Sequence, residues 1–193
     1  MVRKSLIHKE AIINLYECYM IKYQVGYGLK ILFIGVNPHP GSYRRGVPFS
    51  NNKMFWYLLS AAGLLDEPRE FLKDDTNLKN FYLYKLKKVY HIGISNVVPR
   101  QTRSTTELKK EEAIPGRKRV LSEIIKYKPL VVCFVGKITY LLFSRLSKAS
   151  YGWQDDIGTS KIYVMHPPHR GAAEVRIKEL KEIDAAAQKI NQT

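Results

Sequence analysis

Lys30-Ile31-Leu32-Phe33-Ile34-Gly35 is a short apolar run that ends at a glycine. It is too short for a helix of ordinary length and carries no polar face, so it reads as a strand buried on both sides. Three later stretches repeat the pattern: His91–Val98, Leu130–Val135 and Lys161–Met165. Segments of helical periodicity separate them. Asn52–Leu65 places Phe55, Leu58, Leu59 and Ala62 on one face, with Gly63 near its end. Glu107–Tyr127 has Leu121, Ile124 and Ile125 as its apolar face, and Pro115-Gly116 is expected to break or kink it early. Lys137–Leu146 and Ala173–Ile190 complete the series. Strands alternating with helices predict an α/β fold, a three-layer α/β/α single domain around a central, mostly parallel four-stranded sheet.

The length of 193 residues suits one domain, taken here as residues 1–193. Ile7, Ala11, Leu15 and Cys18 recur at helical spacing and predict an N-terminal helical extension over residues 1–27. Glu10, Asn14 and Glu17 interrupt the apolar positions there, which argues against a secretory signal. No run is apolar for long enough to span a membrane. Two distant cysteines, Cys18 and Cys133, cannot build a disulfide framework or a four-cysteine iron–sulfur site. A cytoplasmic, nucleoid-associated location follows by default, or a nuclear one in a eukaryote. The net charge of +15, from 32 basic and 17 acidic residues, favours a polyanionic partner, nucleic acid first. A merely lysine-rich surface is the plainer alternative.

Two strand ends carry unusual loops. The first runs Gly35-Val36-Asn37-Pro38-His39-Pro40-Gly41-Ser42-Tyr43-Arg44-Arg45-Gly46-Val47-Pro48-Phe49-Ser50. It fits neither the phosphate-loop nor the dinucleotide glycine pattern. Ligands of open α/β sheets sit outside the carboxyl ends of the strands, so Asn37 stands at such a mouth. Its amide accepts and donates at once and can hold a water in one orientation, although capping a turn is an equally ordinary use of asparagine. The second loop, His166-Pro167-Pro168-His169-Arg170-Gly171-Ala172, packs two histidines and an arginine into five residues. No third ligand accompanies the histidines, so no metal is expected.

The pattern G-V-N-P, then S-x-x-x-G-V-P-F, then N-x-x-x-F-W-x-x-L-x-x-A-G-L-L, which runs here from Gly35 to Leu65, resembles the first motif of the mismatch-specific uracil/thymine-DNA glycosylases. Gly93–Thr102 resembles the next block, and the resemblance extends over roughly residues 28–190. It implies a monofunctional DNA glycosylase of base excision repair. Such an enzyme flips a uracil, expected in a G·U mismatch, out of the duplex and hydrolyses its N-glycosidic bond. The partner would be double-stranded DNA with a damaged or mismatched base, the protein a monomer, and no cofactor would be needed.

By the same resemblance, Asn37 positions the attacking water, and Phe49 stacks on the base. Gly35, Val36 and His39 complete the base pocket. His39 would act as a wall against a 5-methyl group and so favour uracil over thymine. His166 stands where close relatives usually have asparagine and the wider superfamily often has histidine. It would donate to the uracil carbonyl, for which a neutral imidazole suffices. Arg170 replaces the residue that wedges into the duplex. It joins Ser42, Arg44, Arg45, Arg100, Arg103 and His169 as expected DNA contacts. Two alternatives remain: a glycosylase for another base, such as hypoxanthine, and a catalytically silent DNA-binding domain on the same fold.

Overall fold

The computed structural model describes residues 21–191. The expected first helix through Cys18 lies outside them. Of the expected extension over residues 1–27, the described part, 21–27, is not helical. It lies against the body of the protein, with Gln24 bridging Ile94 in antiparallel sense and the Tyr82 hydroxyl donating to the Lys22 carbonyl at 2.6 Å.

Five strands form one sheet: β1 (Ile31–Gly35), β2 (Ile92–Asn96), β3 (Val131–Val135), β4 (Gly152–Ile157) and β5 (Ser160–Met165). Their order is β2-β1-β3-β5-β4. The first three and β5 run parallel, and β4 pairs antiparallel to β5. The sheet therefore has five strands rather than the four expected. The additional strand, Gly152-Trp153-Gln154-Asp155-Asp156-Ile157, sits at an edge and has no fully buried residue. A polar edge strand carries no continuous apolar run, and that run was the signature of the other four.

Eight helices accompany the strands among the described residues: α1 (Pro40–Arg45), α2 (Met54–Ala61), α3 (Arg69–Lys73), α4 (Asp75–Tyr84), α5 (Leu86–Tyr90), α6 (Ala113–Tyr127), α7 (Lys137–Ser144) and α8 (Ala173–Asn191). The pleat sends alternate side chains to opposite faces of the sheet. Ile31 and Phe33 join Val131, Cys133, Tyr163 and Met165 under α2, α4 and α8, against Phe55, Trp56, Leu59, Leu78, Phe81, Leu180 and Ile183. Leu32 and Ile34 join Val132, Phe134, Ile162 and Val164 under α6 and α7, against Val120, Ile124, Tyr140 and Phe143. Two separate cores on the two faces are what a three-layer α/β/α domain requires. Cys133 is fully buried, and burial pushes its thiol well up.

Pro115-Gly116 does not break the helix it was expected to break. Two 3-10 turns, Thr105–Glu107 and Lys110–Glu112, precede α6, and Pro115 falls in its first turn, where a missing N–H costs nothing. Gly116 is required for a different reason. A Cβ there would collide with the Val97 carbonyl, so only glycine lets α6 approach the end of β2.

Candidate active site

The carboxyl ends of β1 and β2 open into a cavity of about 370 Å³. Asn37, Pro38, His39, Ser42 and Phe49 from the first loop line it, with Asn96 from β2, Arg103, and Pro168 and His169 from the second loop. The two loops singled out from the sequence thus meet. Two larger grooves, of about 530 Å³ beside Trp153 and about 570 Å³ between α6 and α7, take no lining residue from either loop.

Asn37 is fixed by its surroundings. Its Nδ2 donates to the Thr102 hydroxyl at 2.8 Å, the Arg100 carbonyl at 3.2 Å and the Pro38 carbonyl at 3.3 Å. Carbonyl oxygens only accept, so the NH2 must face them, and the orientation of the amide follows from chemistry. Oδ1 has no donor among the described residues and is the acceptor that Asn37 offers to the cavity. Thr102 is itself tied down, by its N–H to the Pro38 carbonyl at 3.1 Å and by its hydroxyl to the Ser104 carbonyl at 2.7 Å.

Phe49 sits in left-handed backbone, at φ 55°. That conformation costs a non-glycine residue roughly 1–2 kcal/mol and persists only where neighbours enforce it. Here the Trp56 indole donates to the Pro48 carbonyl at 2.9 Å, and the Ser50 hydroxyl to the Val47 carbonyl at 2.8 Å. The Phe49 ring lies 4.4 Å from that of Phe55, tilted by 32°. Gly35 does not line the cavity but lets two of its walls close together: a Cβ there would run into Asn96 Oδ1 and the Phe49 ring. Ser42 lines the cavity but is buried, and its hydroxyl accepts from Asn51 N–H at 2.9 Å. Val36 faces a neighbouring cavity of about 360 Å³, shared with Arg103, Lys137, Tyr151, His169 and Arg170.

Asn96 was not singled out from the sequence. It is buried at the last position of β2, and its Nδ2 donates to the Tyr23 hydroxyl at 2.8 Å. Burial raises the Tyr23 phenol to about 12. Arg119 holds the Asn96 backbone carbonyl, donates to Ser95 Oγ at 2.9 Å and pairs with Glu123 at 2.6 Å. The available signal was an asparagine closing an otherwise apolar strand.

A profile of the Uracil DNA glycosylase superfamily matches residues 23–190. The chain belongs to this superfamily. Its members are DNA glycosylases, hydrolases that act on the N-glycosyl bonds of bases in DNA. The match covers both loops, all five strands and the cavity between them. Among the described residues no helix is long and apolar enough to cross a membrane.

The remaining expected residues of this superfamily member divide by their partners. His166 does not line the cavity that holds Asn37. Its ring stacks on Tyr151 with centroids 3.5 Å apart. Its Nδ1 lies 2.6 Å from Glu179 Oε1, and its backbone N–H donates to Glu179 Oε2 at 3.0 Å. His169 does line the cavity, and burial, then Arg170 and Arg176, hold its ring below the usual histidine range. Arg100 is engaged by Glu112, at 2.7 and 2.9 Å, and by the Glu107 carbonyl at 2.8 Å. The Arg100 bond holds Glu112 down at about 2. Arg45 pairs with Asp75 at 2.9 Å and donates to the Gly41 carbonyl at 3.2 Å. The side chains of Arg44, Arg103 and Arg170 have no hydrogen-bond or ion-pair partner among the described residues.

Proposed function

We propose that the chain is a monofunctional DNA glycosylase that hydrolyses the N-glycosidic bond of a uracil flipped out of duplex DNA, with the G·U mismatch as its preferred context. One observation carries the reading: an asparagine amide held through its NH2 by three acceptors, its oxygen left free in a cavity shared with a strained phenylalanine.

In this account Asn37 Oδ1 accepts a hydrogen bond from the attacking water and orients its lone pair toward the anomeric carbon. An amide is no base at neutral pH, so it cannot take the proton before the C–N bond breaks. The bond therefore breaks largely ahead of attack. The base leaves with the bonding electron pair, and the sugar carries positive charge until water adds and releases its proton to solvent. Rate then comes from donors aimed at the departing base anion. Asn96 is placed for this, because its amide can donate to and accept from a pyrimidine edge together. Phe49 offers a ring face for stacking, held rigid by Phe55 and by the Trp56 clamp on Pro48. No lysine lines the cavity among the described residues, which fits hydrolysis by water rather than a Schiff base with the sugar.

Arg44, Arg103 and Arg170 take phosphates or, for Arg170, the gap left by the flipped base. Arg45 and Arg100 act instead through their ion pairs, which brace the loops around Asn37. His166 is the second catalytic candidate, and the second loop must shift onto DNA for its ring to reach the base.

The test is base release from duplexes carrying G·U, A·U, G·T or G·hypoxanthine, with Asn37→Ala in parallel. Fastest release from G·U, abolished in the variant, is the expected result. Thymine release matching that of uracil would remove His39 as a wall against the methyl group. Binding without release of any base would leave the chain a silent DNA-binding domain.

A further inference from the structure

Two histidines flank the site, and each has a partner that dictates which ring nitrogen bears hydrogen. His39 caps α1: the Gly41 N–H donates to His39 Nδ1 at 3.0 Å. A nitrogen that accepts carries no proton, so the neutral ring keeps its hydrogen on Nε2. The cap also fixes the ring's orientation, since a carbon in place of Nδ1 could not accept. His39 Nε2 has no partner among the described residues, and the ring lines the cavity with Asn37, Phe49 and Asn96. His166 is in the opposite state. Its Nδ1 faces a Glu179 carboxylate, which only accepts, so the hydrogen sits on Nδ1 and the neutral ring's Nε2 is bare. Between the two neutral tautomers, the partners therefore put the free N–H on His39, the histidine expected to be only a wall, and not on His166.

We propose that His39 is a specificity-determining hydrogen-bond donor to the flipped base, selecting a carbonyl at the position where the undamaged base carries an exocyclic amino group. The inference rests on the glycosylase reading above and names the side chain that would tell uracil from its undamaged parent base. Deamination of cytosine replaces the 4-amino group by a 4-carbonyl, and deamination of adenine does the same at its 6-position. An N–H fixed by the helix cap meets the carbonyl as a donor meets an acceptor. It meets the amino group as donor against donor, leaving both buried and unpaired. As the glycosidic bond breaks, negative charge spreads onto the exocyclic oxygens of the leaving base, so the same hydrogen bond strengthens toward the transition state. A ring that served only as a wall would need neither a cap on Nδ1 nor a free Nε2–H.

The experiment measures single-turnover release of uracil and of 2-pyrimidinone, which has hydrogen in place of the 4-carbonyl and a bare N3, by the full-length protein and by His39→Phe, His39→Gln and Asn37→Ala. The preference of the wild type for uracil over 2-pyrimidinone should shrink about 10-fold or more in His39→Phe, the loss of one donor to a developing charge. His39→Gln, whose amide restores a donor, should recover part of it. Asn37→Ala should slow both substrates alike. An unchanged preference in His39→Phe overturns the inference while leaving the glycosylase reading intact. Failure of the wild type to release either base overturns both. Long-range proton–nitrogen NMR correlation on the imidazoles gives a readout independent of activity. Hydrogen on Nε2 of His39 and on Nδ1 of His166 is expected, and hydrogen on Nδ1 of His39 would sink the proposal.

Discussion

The two loops that meet at the cavity are held in different ways. The first is pinned at many points, both within itself and to the segments around Trp56 and Thr102. Asn37 is bound by three acceptors, His39 and Ser42 accept from backbone N–H groups, Ser50 closes on Val47, and the Trp56 indole clamps Pro48. The second takes its side-chain hydrogen bonds from one helix, with the His166 ring stacked on Tyr151. Glu179 on α8 holds both His166 nitrogens that face it, and Arg176 on the same helix holds the carbonyls of Arg170 and Gly171. Inside the second loop the one backbone bond is a long one, Arg170 N–H to the Pro167 carbonyl at 3.4 Å. A group that must orient a water gains from a fixed frame, because no reorganisation is then needed during reaction. A segment that must enter a duplex gains from being movable as a unit. The first loop has the first character and the second loop the other.

That contrast can be broken most sharply at the frame. Thr102→Val removes the shortest of the three bonds to Asn37 at nearly constant volume. The turnover rate on G·U duplex should fall about 10-fold with duplex affinity little changed, the loss of one positioning hydrogen bond. Glu179→Ala should give the converse pattern. It unties the second loop, so KM and duplex Kd should weaken about 5-fold, while the single-turnover rate at saturation stays nearly constant. A fall in that saturated rate instead would mean that Glu179 also orients the His166 ring for the chemical step. Arg103→Ala should lower the dependence of duplex affinity on salt by about one unit of slope, whereas Arg100→Ala should leave the slope unchanged and lower turnover through Asn37.

The smallest effect concerns pH. Burial and the neighbouring arginines hold His169 below its ordinary value of about 6.5. As pH falls past that value the unfolded chain takes up the proton first, so the stability contributed by the neutral ring is present above it and lost below it. Urea midpoints should therefore drop between pH 7.5 and 5.5 by less in His169→Asn than in the wild type.

The four parallel strands were legible because both faces of the sheet are covered, which forces continuous apolar runs at Ile31–Ile34 and Val131–Val135. The edge strand β4 was not, since its residues are all half-buried or exposed, with Trp153 and Ile157 as weak apolar marks. The three short helices between Arg69 and Tyr90 have too few turns to develop a clear period. Asn37 was legible as a side chain at a strand's end. Its anchors were not, because Arg100 holds it through a backbone carbonyl and Thr102 through a contact 65 residues distant in sequence. Sequence shows the sign of a charge but not its partner: Arg45 and Arg100 look like Arg44 and Arg103 until Asp75 and Glu112 are placed beside them. The Glu179 carboxylate, which sets the state of His166, lies among the many acidic positions of a surface helix and carries no mark of its own.

The central claim is that the Asn37 amide oxygen activates water against a flipped base. The most direct measurement is single-turnover uracil release from a G·U duplex by the wild type and Asn37→Ala, with duplex Kd determined for both. The account predicts that release falls by about 100- to 1,000-fold while Kd remains within a few-fold. Equal release by the two proteins, or a wild type that binds the duplex and releases nothing, would contradict it.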